Sequence, residues 1–316
     1  MLFSIAVSSI SSLGGVLSTY LWDEDSGLGK RLAQGVAIGT AVWGLLGFFF
    51  ASLVKDLTTP IIIGSATATL FLPLVFGYKK ILKRYRFAKP AVDLATLVYY
   101  AVFAIILVIV LRTGFREIDG AYYTSYVDNY SDATLHTGII SGFTDGKNFP
   151  PEHPDFAGTR LTYPFLFDFT TAMLIELGAP LAAAYFFQHL IFILVIVRLL
   201  EQFAFAFSGQ RLVGYLTPII VLLSGGLGFV VFFKELVAFQ GNIGEFIMKL
   251  PHEYTIYGDA FKWGSAIVNW FIPMRSLLLG VPLVLIIVTL WWQRIQQRDG
   301  NSRLMWGAGF ITSLLI

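Results

Sequence analysis

A stripe of acidic and imidazole side chains is the part of this sequence best suited to chemistry. Asp128, Asp132 and His136 are spaced four residues apart, so in a helix they project from one face. Such a stripe can hold a divalent cation, with Asp132 and His136 as the candidate ligands of Mg²⁺ or Mn²⁺, or it can tune a general base. The alternative is a solvated helix face with aromatic packing beneath it, and the spacing alone leaves both interpretations open.

A second polar segment follows on a rigid stretch of chain. Glu152, His153 and Asp155 stand among the prolines of Pro-Pro-Glu-His-Pro-Asp, which begins at Pro150. Proline fixes φ and removes a backbone donor, so the three polar side chains would be displayed on a stiff arm. Pre-organisation of this kind favours ligand binding, because little entropy is lost when the ligand arrives. A polar surface loop without a ligand is the alternative.

Two arginines are expected at a membrane boundary. Arg160 comes shortly before Tyr163, and Arg275 opens a long apolar run. An arginine at either place can bind a lipid phosphate through two parallel hydrogen bonds, or it can simply extend its charge to the headgroups. Asp168 lies on an apolar segment, where a carboxylate is unfavourable unless it is paired or functional.

The composition requires a membrane around these residues. The chain of 316 residues is 56% hydrophobic and 13% charged, with a mean hydropathy of +0.72, whereas a soluble domain has about 25% charged residues. The net charge of +2 and the lack of a basic run interleaved with aromatics argue against nucleic acid as a partner. The chain has no cysteine, which excludes disulfides and thiolate metal sites.

The uncharged runs predict an all-α polytopic membrane protein with about seven complete transmembrane helices and a truncated eighth. The predicted spans are Met1–Trp22, Leu32–Val54, Leu57–Tyr78, Ala91–Leu111, Leu177–Val197, Leu212–Phe233 and Ser276–Gln293. The last run, Leu304–Ile316, is too short to span, and we expect it to be the start of a helix in a longer protein. The three spans within residues 1–78 are expected to be an addition, residues 79–90 a basic cytoplasmic linker, and residues 91–316 the catalytic module.

Charge distribution predicts which side of the membrane each loop faces. If the short segment Phe165–Gly178 does not cross, the inside loops hold 13 Lys and Arg in 45 residues and the outside loops hold 9 in 97. This is the bias of the positive-inside rule, and it weakens if the segment crosses. We therefore expect Phe165–Gly178 to be an interfacial helix on the outer membrane surface, beneath a large extracytoplasmic loop over residues 112–163.

Several of these motifs together resemble an integral-membrane glycosyltransferase of the GT-C superfamily. The resemblance rests on Ser-Asp-Ala-Thr-Leu-His from Ser131, Asn-Phe-Pro-Pro-Glu-His-Pro-Asp-Phe-Ala-Gly-Thr-Arg from Asn148, and Asn-Trp-Phe-Ile-Pro-Met-Arg from Asn269. It covers about residues 91–316 and leaves residues 1–78 unexplained. It implies a bacterial inner-membrane enzyme that uses a polyprenyl-phosphate sugar donor and a lipid, glycan or protein acceptor.

The resemblance also implies roles for individual residues. The acid of the first extracytoplasmic loop acts as catalytic base or helps to hold a metal, which makes Asp132 the expected base and Asp128 its substitute. Positive charge near the departing phosphate would come from Arg160 and Arg275. The substrate-binding residues implied alongside these two are His136, Glu152, His153, Asp155 and Tyr163. The adjacent acidic pair of some subfamilies is absent, so the sequence leaves the metal requirement open.

Other membrane functions are the alternatives. A transporter or flippase would place ionisable residues deep in several spans, whereas the spans here are nearly free of charge. A polymerase or ligase of lipid-linked glycans would share the substrates of a glycosyltransferase. A non-catalytic scaffold would leave the acidic stripe and the proline-rich arm without a purpose.

Overall fold

A computed structural model describes residues 1–23, 26–84, 93–124, 129–252, 254, 264–296 and 302–315. The helices are α1 (Leu2–Thr19), α2 (Leu28–Val54), α3 (Thr59–Arg84), α4 (Leu94–Gly114), α5 (Asn129–Thr144), α6 (Leu166–Glu176), α7 (Leu181–Ser208), α8 (Arg211–Leu223), α9 (Gly228–Ala238), α10 (Ile243–Met248), α11 (Arg275–Gln296) and α12 (Ser302–Thr312), with a π-helical turn at Ile267–Phe271. Two small antiparallel hairpins, β1–β2 (Arg116–Ile118 with Ala121–Tyr123) and β3–β4 (Glu152–His153 with Phe156–Arg160), complete the described elements.

The prediction of a helical polytopic membrane protein is confirmed at this coarse level. Six described helices are long and apolar enough to cross a bilayer, or up to seven if a bent helix pair counts as one span. The six are α1, α2, α3, α4, α7 and α11. The predicted eighth span falls on the short helix α12, which ends at Thr312 and packs against α11; that α12 begins a span stays a prediction.

Side-chain contacts fix the relative directions of the long helices. Arg275 at the start of α11 bonds to Gln188 near the start of α7, and Trp292 near the end of α11 bonds to Ala206 near the end of α7. These two helices are therefore parallel. Helix α4 runs antiparallel to α7, because Tyr100 near the start of α4 bonds to Glu201 near the end of α7. We call the end at which α7 and α11 begin the site end.

The remaining chain termini and turns follow the predicted alternation. The α-amino group of Met1 donates to the Gly178 carbonyl at 2.9 Å, so α1 starts at the site end. The turn after α2 lies there too, because Lys147 of the large loop pairs with Asp56 at 2.6 Å. The loops expected to share one side thus lie together at one end of the bundle. Their location on the outer face of the membrane stays a prediction.

The predicted span Leu212–Phe233 is not one continuous helix. The chain breaks after Leu223, and α9 turns by 87° from the axis of α8. The break falls at Ser224-Gly225-Gly226, where two consecutive glycines lower helix stability by about 1 kcal/mol each. Since α7 and α11 are parallel, the chain must run back from the end of α7 to the start of α11. The bent pair α8 and α9 lies in this returning stretch of chain.

The segment Phe165–Gly178 forms a short helix that is covered by protein, and its predicted place at the outer membrane surface stays a prediction. Its helix, α6, packs against α2, α5, α7 and α11, and every residue from Phe167 to Met173 is buried. Protein rather than lipid covers this helix because Asp168 and two threonines need hydrogen-bonding partners, which the bilayer lacks. Gly178, with φ +86°, ends the helix and directs the chain into α7.

Helix α2 shares a buried core with later helices, and the division of the chain into an added segment 1–78 and a module 91–316 stays a prediction. Ala37 and Ile38 of α2 belong to the same buried core as residues of α7 and α11. Gly35 and Gly39 of α2 also let the backbone of α1 approach closely: a Cβ at Gly39 would lie 2.2 Å from the Ser11 carbonyl oxygen of α1. This is the small-xxx-small pattern by which membrane helices bring their backbones together. The expected linker 79–90 also begins inside α3, and residues 85–90 lie outside the described residues.

The α1–α2 contact generates a test of stability. We expect Gly39→Ala to lower the free energy of unfolding by about 1–3 kcal/mol, because the new methyl group must push two backbones apart. Gly64→Ala on α3 is the matched control, since a Cβ there meets nothing within 4 Å. Thermal unfolding of both variants in detergent measures the difference. Equal melting temperatures would contradict the packing described here.

The shared site end generates a test of topology, and the cysteine-free sequence makes single-cysteine labelling clean. We expect a membrane-impermeant maleimide to label Asp145→Cys in intact cells, because the large loop is predicted to face outward. The same reagent should label Gln210→Cys, at the opposite end, only after the membrane is permeabilised. The reverse pattern would place the large loop in the cytoplasm.

Candidate functional site

Helix α5 positions the two central residues of the predicted stripe. Its buried positions, among them Ala133, Ile140 and Phe143, recur at the three- and four-residue spacing of a helix packed on one side. His136 falls on this buried face and is 1% exposed, whereas Asp132, one turn earlier, is half-buried. The helical prediction is confirmed for both residues, and the solvated-face alternative is wrong for His136. Asp128 lies outside the described residues.

Beneath α5, an aromatic layer holds the large loop on the bundle. Its members are Phe48 of α2, Phe143 of α5, Phe149, Phe165 and Phe169 of α6, with ring centroids between 5.0 and 6.3 Å apart. Edge-on and tilted contacts of this kind add to the hydrophobic stabilisation. The layer fixes the height of α5 above α6, and thereby the place of His136.

A buried ion pair lies directly under His136. Asp168 of α6 accepts a hydrogen bond from Nε of Arg275 at 2.8 Å, and its other oxygen lies 2.6 Å from Nδ1 of His136. The second imidazole nitrogen, Nε2, lies 2.9 Å from the carbonyl oxygen of Pro273. Arg275 and Asp168 are 0% and 1% exposed at their side chains. The large loop, α6 and the start of α11 are thus joined through one carboxylate.

The rest of the guanidinium is held by α6 and α7. Its Nη2 donates to Thr171 at 2.5 Å and to Gln188 at 3.0 Å, and its Cζ lies 3.8 Å from the ring centroid of Tyr185. A cation over an aromatic face is stabilised by the ring quadrupole. Nη1 of Arg275 and the Tyr185 hydroxyl are buried without a hydrogen-bond partner among the residues that the structure describes.

Helix dipoles explain why this cluster needs its carboxylate. Arg275 is the first residue of α11, where the partial positive charge of a helix N-terminus opposes a cation. Asp168 lies in the first turn of α6, where the same effect favours an anion. Pairing the two charges removes the unfavourable interaction and keeps the favourable one.

Tyr163 lies between the buried cluster and the half-buried acid. Its ring meets that of His136 edge-on, with centroids 5.5 Å apart, and its oxygen has a hydrogen bond with Ser276. Burial raises the pKa of Tyr163, the bond with Ser276 partly offsets this, and the nearby carboxylates of Asp168 and Asp132 raise it further. The phenol therefore keeps its proton well above neutral pH, next to the acid predicted to be the base.

An apolar slot opens beside Ser276, and we call it the α11 slot. It is a cavity of about 90 Å³ lined by Pro164, Leu166, Phe167, Ser276, Leu279, Gly280, Leu283, Leu314 and Leu315. A Cβ at Gly280 would meet nothing within 4 Å, so the glycine keeps this side of α11 open. The slot runs along membrane-spanning helix α11 and ends next to Tyr163.

The proline-rich arm forms the β3–β4 hairpin and uses its polar groups to close it. The Glu152 carboxylate accepts from the backbone N–H of Gly158 at 2.9 Å, and Nδ1 of His153 accepts from that of Asp155 at 3.2 Å. Asp155 and Arg160 are exposed. Within the described ranges no hydrogen bond or ion pair joins this hairpin to Asp132, His136 or Arg275, so a substrate-binding role for its four predicted residues stays a prediction.

Among the described residues, no group of three His, Asp or Glu side chains lies close enough together to hold a metal ion. Of the two predicted ligands, His136 has its nitrogens within hydrogen-bond distance of oxygen atoms of Asp168 and Pro273, and Asp132 is half-buried. The metal site stays a prediction.

For Arg275, the predicted phosphate contact is constrained by burial. Because its side chain has no exposed surface, a phosphate could reach it only after part of the cluster opened. In this structure it braces Asp168, Thr171 and Gln188 instead. Arg160 is the exposed cation of the predicted pair.

Sequence reasoning did not include the partners that complete the site. Asp168 carried a signal, a carboxylate on an apolar segment, but its partners could not be assigned. Thr171, Tyr185 and Gln188 carried none, because polar side chains within apolar runs are usual and their spacing in sequence does not show that three helices converge.

Comparisons with protein-family models, with curated proteins and with solved structures found no match to this chain. The resemblance to GT-C enzymes therefore rests on the sequence motifs alone.

The buried ion pair predicts a large loss of stability on removal of its carboxylate. Asp168→Asn leaves Arg275 charged, buried and without a counter-ion, and we expect the free energy of unfolding to fall by about 3–5 kcal/mol. The control is Asp56→Asn, which breaks the partly exposed pair with Lys147 and should change stability by about 1 kcal/mol or less. Similar melting temperatures for the two variants would mean that Asp168 does not brace the site.

Proposed function

We propose that this protein is a membrane glycosyltransferase that moves a sugar from a polyprenyl-phosphate donor to a lipid, glycan or protein acceptor on the outer face of the membrane. The observation that carries the proposal is the position of Asp132. It is half-buried, one helical turn from a histidine fixed in a buried ion cluster, and close enough to Tyr163 to raise its pKa. The hydrogen-bond partner of Tyr163, Ser276, lines the slot along helix α11.

Asp132 is suited to act as the general base. A base must be accessible to the acceptor yet held in one place, and a half-buried side chain on α5 meets both requirements. Its helix is held through one buried face, by the aromatic layer and by the contacts of His136 with Asp168 and Pro273. The buried network thus orients the base, and His136 and Asp168 are positioning residues.

The reaction needs only proton removal and charge stabilisation. The acceptor hydroxyl gives its proton to the Asp132 carboxylate as its oxygen bonds to the anomeric carbon. The bond from that carbon to the donor phosphate breaks at the same time, and polyprenyl phosphate leaves with the electron pair. Inversion at the anomeric carbon is expected by analogy with the GT-C resemblance.

Arg160 is the proposed cation for the departing phosphate. The neutral phenol of Tyr163 is placed to donate to an oxygen of the substrate, because burial and the adjacent carboxylates keep it protonated. The α11 slot would admit the first isoprene units from the bilayer, which brings the phosphate to the height of Tyr163.

The absence of charge in the spans supports an enzyme over a transporter. Among the residues of the candidate site, Asp168 and Arg275 form an ion pair in which both side chains are buried. The two charges neutralise each other within the site. A conduction path would need ionisable groups deeper in several helices.

The decisive experiment is transfer of labelled sugar from polyprenyl-phosphate donors by the full chain in membranes. Asp132→Asn should lower the transfer rate by about 10²–10⁴-fold, the usual contribution of a general base, without changing the amount of protein. Asp145→Asn, at the exposed end of the same loop, is the control and should transfer at the normal rate. Normal transfer by Asp132→Asn would refute the assignment, and loss in Asp128→Asn instead would move the base to that residue.

A further inference from the structure

A second apolar cavity lies away from Asp132 and is lined in part by α6. It has a volume of about 430 Å³ and runs between α1, α2, α6 and α7; we call it the α1–α7 groove. Along α1 its lining extends from Ser4 to Val16, a length of about 18 Å at 1.5 Å per residue. That is close to the depth of one leaflet, about half of a hydrocarbon core of about 30 Å.

The groove is apolar even where its lining residues are polar. Four serines of α1 line it, and each donates its hydroxyl to a carbonyl of its own helix, for example Ser9 to Ile5 at 2.8 Å and Ser12 to Ser8 at 3.0 Å. Thr170 and Gln188, at the α6 side, bond to each other at 3.2 Å. The groove therefore presents few free donors or acceptors to an occupant.

These properties identify the class of occupant. Protein interiors rarely contain voids much larger than a water molecule, and an apolar cavity of about 150 Å³ already takes up benzene. Ordered water needs two to four polar partners, which this lining does not offer. Three of the lining helices, α1, α2 and α7, are long and apolar enough to span a bilayer. Lipid hydrocarbon is therefore the solvent at the opening of the groove, where Leu13 and Ile191 are exposed.

We propose that an acyl chain of a membrane phospholipid occupies the α1–α7 groove and stabilises the buried ion cluster by packing against Gln188. Gln188 joins the two, because it lines the groove and accepts hydrogen bonds from Thr171 and Arg275. The groove and the α11 slot have no lining residue in common, so the chain is distinct from the one proposed for the sugar donor. This inference does not depend on glycosyl transfer.

The test uses the full chain and a phosphatidylethanolamine with a diazirine in one acyl chain. On irradiation we expect labelling of peptides from α1 and α7. Ser9→Phe places a ring in the groove and should lower that labelling severalfold, and Ile191→Trp should do the same from the opposite wall. Ala6→Phe is the matched control, because Ala6 is exposed on α1 but does not line the groove, and it should be labelled like the unchanged protein.

A second measurement separates filling of the groove from misfolding. Phospholipid added to delipidated protein should raise the melting temperature of the unchanged protein and of Ala6→Phe, since a ligand of the folded state stabilises it. Ser9→Phe should fold but gain no such stabilisation. Equal labelling and equal stabilisation of all variants would overturn the proposal.

Two outcomes would assign the groove to a different occupant and equally overturn it. Displacement of the label by polyprenyl phosphate, but not by unlabelled phosphatidylethanolamine, would make the groove a donor site. A dimer that native mass spectrometry detects for the unchanged protein and not for Ser9→Phe would show that a second copy fills it.

Discussion

The contact between Asp168 and Arg275 is the interaction on which the arrangement of the site depends. Neither charge is tolerable alone at its position: the arginine stands at a helix N-terminus without solvent, and the carboxylate lies on an apolar helix. Each is stabilised only by the other, because a buried charge without a partner is strongly unfavourable. Their pairing fixes α6 against α11, and the bond from His136 to the same carboxylate places the large loop above both.

This arrangement divides the polar residues between two tasks. The fully buried ones, His136, Asp168 and Arg275, satisfy one another and set positions, whereas the half-buried Asp132 and Tyr163 face the space where a substrate would come. A reactive carboxylate benefits from such a division, because the groups that hold it do not have to be reorganised when substrate binds. The histidine predicted to bind a metal is part of this buried network.

Lipid access is shaped by small side chains rather than by charge. Gly35 and Gly39 bring α1 within backbone contact of α2, and the serines of α1 leave the α1–α7 groove beside that contact. Gly280 leaves the α11 slot open. Helix α6 lines both apolar openings and carries Asp168 in its first turn, so that a short buried helix contributes to both the polar and the apolar parts of the site.

The sequence by itself determined the membrane class, the approximate bounds of most long helices and the helical stripe that carries Asp132 and His136, because these follow from composition and from local periodicity. Only the tertiary structure decided that α6 is buried, that the predicted span after Leu212 is bent by 87°, that the first three helices share the common core, and that Arg275 faces inward. A periodic pattern shows that a side chain shares a face with its neighbours in sequence. Which distant helix supplies the partner of a buried charge is settled only when Asp168, Gln188 and Arg275, separated by up to 107 residues, are brought together.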